Sequence, residues 1–338
     1  MLQKLIKACA ILCCAASLSA LEPRLNVDVF SYEDFASNDS ATLKGIKQAL
    51  VDKGIVGLRG IPGYKESAEK FISAAREFAS LTIEQKEQYS PNRATNEITG
   101  FEKGAEKFLR PDGEWIVDDA KASYYAFIPD NDKNRWPKEC DLKSIYLEIA
   151  QIMFDTGIQV LKSIELDESR TNVHLDKVTG FGRMLHYLKQ SDDTMDNPFW
   201  CGAHFDHGLF TALMPAFYFS DNEPIAEPDE AGLFVRLKNE EYKKVVSDDP
   251  SVLLFQVGEF GQLAMDDKII ATEHRVHKAR GGIERFTLAV FFDPSQETLI
   301  HSKSVLTQDP RYGTEESCTY QRWSEESYKR YLVEDEEG

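Results

Sequence analysis

Glu284-Arg285-Phe286-Thr287-Leu288-Ala289-Val290-Phe291-Phe292 alternates in the manner of a half-buried β-strand. Successive side chains of a strand point to opposite faces, so Phe286, Leu288, Val290 and Phe292 pack on one side while Arg285, Thr287 and Ala289 share the other. An arginine on a half-buried strand needs a partner, because an uncompensated buried charge costs several kcal/mol. Its planar guanidinium suits a carboxylate gripped by two parallel hydrogen bonds. That carboxylate is either an Asp or Glu of the protein or the far end of a dicarboxylic co-substrate.

Around this strand the chain has the same texture from Gly180 onward. Short β-type runs, Met184 to Tyr187, Leu209 to Phe219, Leu233 to Leu237, Tyr242 to Val246 and Val252 to Val257, are broken by turn residues and predict a sandwich or barrel. Ser220 to Ala231 and Ser247 to Pro250 read as acidic, Pro-containing surface loops. The earlier part is expected to be mostly helical. A helix starts at a capping Ser40, buries Leu43, Ile46 and Leu50, and stops at Gly54; a short strand, Ile55 to Leu58, follows. The next helix buries Phe71, Ala75 and Phe78; Thr82 with Gln85 predicts a capping box; a long helix lies between Leu142 and Ile164. No internal repeat is present. The expected fold class is mainly β with helices (α+β), divided into a leader (1–20), a helical region (21–170), a β core (171–300) and a C-terminal helix with an acidic tail (301–338).

Gly202-Ala203-His204-Phe205-Asp206-His207-Gly208 brings chemistry to this frame. In an extended segment His204 and Asp206 project from one face, so their ligand atoms converge on one ion, and His274, in Thr272-Glu273-His274-Arg275-Val276, is the candidate third ligand. Two histidines and a carboxylate on one face of an octahedral metal leave positions open, the arrangement of iron(II) oxygenases. Zinc hydrolases use similar ligands. His207 and His277 are rival ligands, but a separation of three residues from His204 and His274 turns each to the opposite face. His207 then sits on the rim and reads as a solvated surface histidine, His174 and His301 read as surface residues, and Cys201 as a packed thiol.

Here a resemblance becomes specific. The runs around His204 and Asp206, Gly232-Leu233-Phe234-Val235, His274-Arg275-Val276, Arg285-Phe286-Thr287 and Phe291-Phe292-Asp293-Pro294 resemble, in order and strand context, the isopenicillin N synthase-like 2-oxoglutarate/iron(II) dioxygenases. Arg183-Met184-Leu185-His186-Tyr187 is similar to the family's co-substrate strand, and Asn134-Arg135-Trp136-Pro137 to its Asn-x-Trp-Pro. The resemblance runs from about residue 24 to 296. It implies a double-stranded β-helix, or jelly roll, buttressed by helices. It implies Fe(II) on His204, Asp206 and His274, and 2-oxoglutarate on Arg285, Thr287 and Tyr187, with O2 as oxidant and succinate and CO2 released. Hydroxylation, desaturation or ring closure of a small molecule would result. The chain departs from the family pattern at Leu185, where Asn is frequent, at Glu259, where Asp is usual, and in the long interval between His274 and Arg285, which Gly281-Gly282 fills as a longer turn. Tyr124, Tyr125 and Phe217 are expected to line the substrate pocket. The rival classes are an oxidase of the same fold without 2-oxoglutarate, a zinc hydrolase, and a non-catalytic jelly-roll binding protein.

Charge narrows the partners. Lys plus Arg is 39 against 57 for Asp plus Glu, so 39 − 57 = −18, a field that repels phosphate backbones and anionic lipid. A small molecule is the expected partner, with no nucleic acid and no stable membrane insertion. Lys4 and Lys7 before the apolar run Ala8 to Leu18, ending Leu18-Ser19-Ala20, read as a signal peptide, hence periplasmic or secreted. A cytoplasmic location is the alternative. After cleavage Cys140, Cys201 and Cys318 would remain, too few and too scattered for a disulfide framework.

Overall fold

The structure, a computed structural model, describes residues 23–110, 113–164, 173–189, 197–238, 240–246, 249–314 and 316–332. The expected leader and the acidic end of the tail lie outside these. Two sheets enclose a cavity. The large sheet runs β2 (Val29–Ser31), β3 (Ile55–Arg59), β15 (Val252–Val257), β10 (Phe210–Leu213), β17 (Glu284–Asp293), β8 (Thr179–Tyr187), β7 (Lys121–Ile128) and β4 (Gly100–Lys103). A hairpin of β11 (Phe217–Ser220) and β12 (Glu223–Ile225) hangs on β17. The smaller sheet runs β1 (Arg24–Leu25), β14 (Tyr242–Val245), β13 (Gly232–Arg236), β16 (Glu273–His277) and β9 (Phe199–His204). Two short hairpins complete the strands: β5 (Lys107–Leu109) with β6 (Trp115–Val117), and β18 (Leu299–Ile300) with β19 (Cys318–Thr319). This is the jelly roll that the resemblance implies.

The alternation in Glu284 to Phe292 decides which face meets what. Phe286, Leu288, Val290 and Phe292 pack outward in one core with the short α1 (Tyr32–Ala36), α2 (Ser40–Asp52), α3 (Tyr64–Ser80) and α5 (Leu142–Ser163), where Phe154 stacks on Phe292 at 5.1 Å. Ala289 turns inward into a second core shared with Leu233, Val276 and Trp200 of the smaller sheet. The large sheet is therefore buried on both faces, which explains its continuous apolar runs.

Local chemistry sets the element ends. The cap of α2 is Asp39, not Ser40: its carboxylate accepts from the Thr42 amide at 2.8 Å. The Thr82/Gln85 capping box of α4 (Ile83–Glu87) forms with both hydrogen bonds. The run Leu209 to Phe219 is two strands, because Pro215 lacks the amide that a continuous ladder would need. Residues 100–128, in the region expected to be mostly helical, instead supply β4 to β7, and β7 pairs with β8 in the large sheet. Lys278 to Ile283 form the longer turn, with Gly281 and Gly282 at φ +77 and +71. Helix α6 (Glu259–Ala264) follows β15, and α7 (Tyr320–Tyr331) closes the described chain. Among the described residues no helix is long and apolar enough to cross a membrane, and Cys140, Cys201 and Cys318 are free thiols.

Candidate active site

β9 and β16 lie side by side with His204 opposite His274. His204 ends β9, and Asp206 stands just beyond it, in the link to β10. The three side chains converge: Asp206 Oδ1 is 3.8 Å from His204 Nε2 and 3.8 Å from His274 Nε2. One ligand atom from each falls within 4.8 Å of the others. Backbone carbonyls fix both tautomers. His204 Nδ1–H donates to Gly202 O at 2.9 Å and His274 Nδ1–H to Thr272 O at 3.0 Å, which leaves each Nε2 lone pair for a metal. Asp206 Oδ2 accepts from the Thr211 hydroxyl at 2.7 Å, so Oδ1 is the oxygen free to ligate. Burial works against the Asp206 charge, but His274, His204 and Thr211 together hold the carboxyl below its usual range. Burial, then His204, lowers His274, keeping it neutral and competent as a ligand. Gly202 is required next to this set: a Cβ there would meet the Phe108 ring at 2.4 Å.

Arg285 lines the same cavity from the large sheet. It is 3% exposed, its Nε donates to Tyr218 Oη at 3.2 Å, and its guanidinium lies 4.7 Å from the Tyr187 ring. Its Nη1 is buried with no hydrogen-bond partner, and no carboxylate of the described residues pairs with it. Tyr187, opposite Arg285 in the register, is buried under the guanidinium. Thr287 shares the inward face, and its hydroxyl donates to Met214 O at 2.5 Å. Leu185 fills the position opposite Thr287 with an apolar side chain.

The rival ligands turn away. His277 stacks on Phe234 at 3.9 Å, and burial lowers it to about 4. His207 is half-buried against Tyr328 at 4.7 Å rather than solvated; burial lowers it, too, to about 4. His174 and His301 are exposed. Cys201 lines the cavity, 3.5 Å from Lys121 Nζ. Of the expected pocket aromatics only Tyr125 lines the cavity. Tyr124 and Phe217 have the opposite parity and pack in the helix-side core. Asn134 does not reach the site: it clasps the Phe127 backbone at 2.7 and 3.0 Å.

Sequence reading missed two groups. Arg183 lies on the inward row of β8 with Leu185 and Tyr187, and parity alone would have found it. It joins Glu106, Lys121 and Asp118, which carry no recognisable motif, through contacts of 2.9, 2.8 and 2.6 Å. Tyr328 and Tyr331 of α7 also line the cavity. Glu259, the departure after Gly258, is explained by α7's neighbourhood: Arg311 grips it at 2.5 and 2.8 Å, beside Ser327.

Fold and site together define a jelly roll with a facial set of two histidines and one carboxylate between its sheets. No known family profile matches the sequence, and no curated protein matches it. Solved structures share the fold. A full-length Neurospora crassa protein in complex with alpha-KG and thymine superposes with TM-score 0.69 at 19% identity, over 89% of this chain and 97% of that one. JOX2 in complex with 2OG, Fe and JA gives 0.63 at 19% identity, over 84% and 79%. The dioxygenase for auxin oxidation in rice gives 0.63 at 15% identity, over 90% and 95%.

Proposed function

We propose that this chain is an Fe(II)- and 2-oxoglutarate-dependent dioxygenase acting on a small organic molecule. One observation carries the reading: a buried guanidinium with an unpaired N–H shares a cavity with two histidines and a carboxylate whose ligating atoms converge. A structural arginine would have found a protein carboxylate, whereas this one is left for a ligand carboxylate. The likeness in fold to the Neurospora crassa protein with alpha-KG and to JOX2 with 2OG and Fe supports the same reading.

His204, Asp206 and His274 would hold the metal, and iron bound there supplies the redox chemistry with dioxygen that the side chains lack. The chain's own work is positioning. Gly202 O and Thr272 O take the Nδ1 protons and aim each Nε2, Thr211 fixes which Asp206 oxygen faces the ion, and Arg285, with Tyr187 and Thr287 around it, would anchor the far carboxylate of 2-oxoglutarate. Beyond Arg285 and the triad the cavity continues to walls formed by Phe108, Tyr125, Arg183 and Tyr328, where a substrate would sit. Aromatic walls limit water around the oxidation.

Anaerobic addition of Fe(II) and 2-oxoglutarate to the full chain should give a visible charge-transfer band. Admission of air should then yield succinate. Succinate formation without the band, or the band without succinate, would count against the reading. Turnover independent of 2-oxoglutarate would point to the oxidase, and absence of both signals to a hydrolase or binding protein.

A further inference from the structure

Arg183 reaches the cavity because its neighbour on β17 is Ala289, the smallest side chain of that inward row. Its Nη2 donates to Glu106 Oε2 at 2.9 Å and its Nε to Ser123 Oγ at 3.0 Å, while Nη1 has no partner among the described residues. Glu106 Oε1 accepts only from Tyr125 Oη, at 3.2 Å, and has capacity for a second donor. The two side chains keep 14% and 25% of their surface open, so a donor and an acceptor stand side by side on the wall. Tyr125 and Phe181, stacked at 5.4 Å and 16° from parallel, line the same cavity, and the Arg183 guanidinium lies 5.1 Å over the Tyr125 ring.

We propose that Arg183 and Glu106 are a substrate-reading pair that takes an uncharged, flat molecule bearing a carboxamide or lactam edge, its carbonyl on Arg183 and its N–H on Glu106. The inference rests on the oxygenase reading above. Charge decides between this class and a carboxylate. Glu106 already joins both Arg183 and Lys121, and Lys121 also pairs with Asp118, so two cations meet two carboxylates. An anionic substrate would have to displace Glu106 from Arg183 or sit against it. A cation would gain little from a carboxylate that two cations already hold. An amide satisfies both open atoms without adding charge. Arg183 lies on the same row of β8 as Tyr187, so a molecule bound to the pair lies beside the co-substrate.

Calorimetric titration of the full chain, loaded with Mn(II) and the inert 2-oxoglutarate analogue N-oxalylglycine, with benzamide and with benzoate tests this. The two rings differ only in the carboxamide or carboxylate they carry. Benzamide should bind at least about tenfold tighter than benzoate. Equal affinities, the reverse order, or no binding of benzamide would overturn the inference, and this comparison needs no variant. Glu106→Gln keeps the shape, removes the charge and frees Arg183, so the order should invert toward benzoate; an unchanged order would equally overturn it. N-oxalylglycine binding in the same titration reads the oxygenase proposal itself. If the analogue binds and the benzamide preference is absent, the substrate inference alone falls; if the analogue fails to bind, both fall.

Discussion

Arg285→Met separates the anchor reading from a structural one, because the two predict opposite changes in the unliganded protein. Arg285 is 3% exposed, has one protein hydrogen bond, to Tyr218 at 3.2 Å, and leaves Nη1 unpaired. Methionine keeps much of the length and removes the buried charge. Relief of the uncompensated charge outweighs one lost hydrogen bond of about 1 kcal/mol, and the apo protein should gain about 1–2 kcal/mol. Thermal unfolding should rise by about 2–4 °C for each of these. Binding moves the other way. Two charge-assisted hydrogen bonds to a carboxylate contribute about 1.5–3 kcal/mol each, so the loss is about 3–6 kcal/mol. The Kd for 2-oxoglutarate, titrated calorimetrically with Mn(II) present, should rise by about a hundredfold to ten-thousandfold. Metal affinity should stay unchanged. A variant that unfolds earlier than wild type and keeps its 2-oxoglutarate affinity would refute the assignment.

Asp206→Ala should abolish metal binding while Arg285→Met spares it, and Thr211→Val, which releases Asp206 Oδ2, should weaken it by about 10–100-fold; equal losses in all three would undo the division of roles. Glu259→Ala takes one of two carboxylates from Arg311, 5% exposed on its side chain, and leaves Asp309 at 3.0 Å, so it should cost about 1.5–3 kcal/mol, read as a lower urea midpoint with an unchanged slope. Burial raises Asp293 to about 6 from 3.8, although the Tyr320 hydroxyl opposes it. The folded form thus holds this proton more tightly than the unfolded chain, so its stabilisation is full below the unfolded value and is lost as pH rises through about 6. The window is worth at most about 3 kcal/mol. Asp293→Asn should flatten denaturation midpoints between about pH 4 and 6.5, and a variant with the wild-type pH slope would show that another group titrates. Export with cleavage after Ala20 predicts a mature N-terminus at Leu21 by mass spectrometry, and an intact Met1 would argue for the cytoplasm.

What the sequence made legible follows from periodicity. Parity in Glu284 to Phe292 correctly divided the inward Arg285 from the outward Phe286, and the spacing of three turned His207 and His277 from the triad. The same rule, extended to β7 and β8, would have excluded Tyr124 and admitted Arg183. Glu106 was illegible because a short hairpin and a chain-distant lysine bring it to the wall, and neither leaves a local pattern. His207 reads as a surface residue in sequence because the side chain that covers it, Tyr328, lies far along the chain on α7. Strands β4 to β6 were missed because runs of three or four residues carry little periodic signal, and β7 because its eight residues are buried on both faces and show no alternation.

The two halves of the site sit on different sheets, and this has a mechanical consequence. His204 and His274 belong to β9 and β16 of the smaller sheet; Arg285, Tyr187 and Arg183 belong to the large one. The distance between the triad and the Arg285 guanidinium is thus a distance between sheets, and something must hold it. Two contacts span the gap at the level of the triad: Thr211 of β10 bonds Asp206 at 2.7 Å, and the Gln256 side chain of β15 packs against the His274 ring, 3.4 Å from an Nδ1 whose proton already goes to Thr272 O. Both residues are almost fully buried in a strand that itself packs on the helices through its other face. The helices on the large sheet therefore reach the metal ligands through a single layer of strands. Gln256→Ala, which removes that packing, should loosen the triad without touching Arg285. Metal affinity should fall while 2-oxoglutarate affinity at saturating Mn(II) holds, and a fall in both alike would mean that the sheets are braced elsewhere.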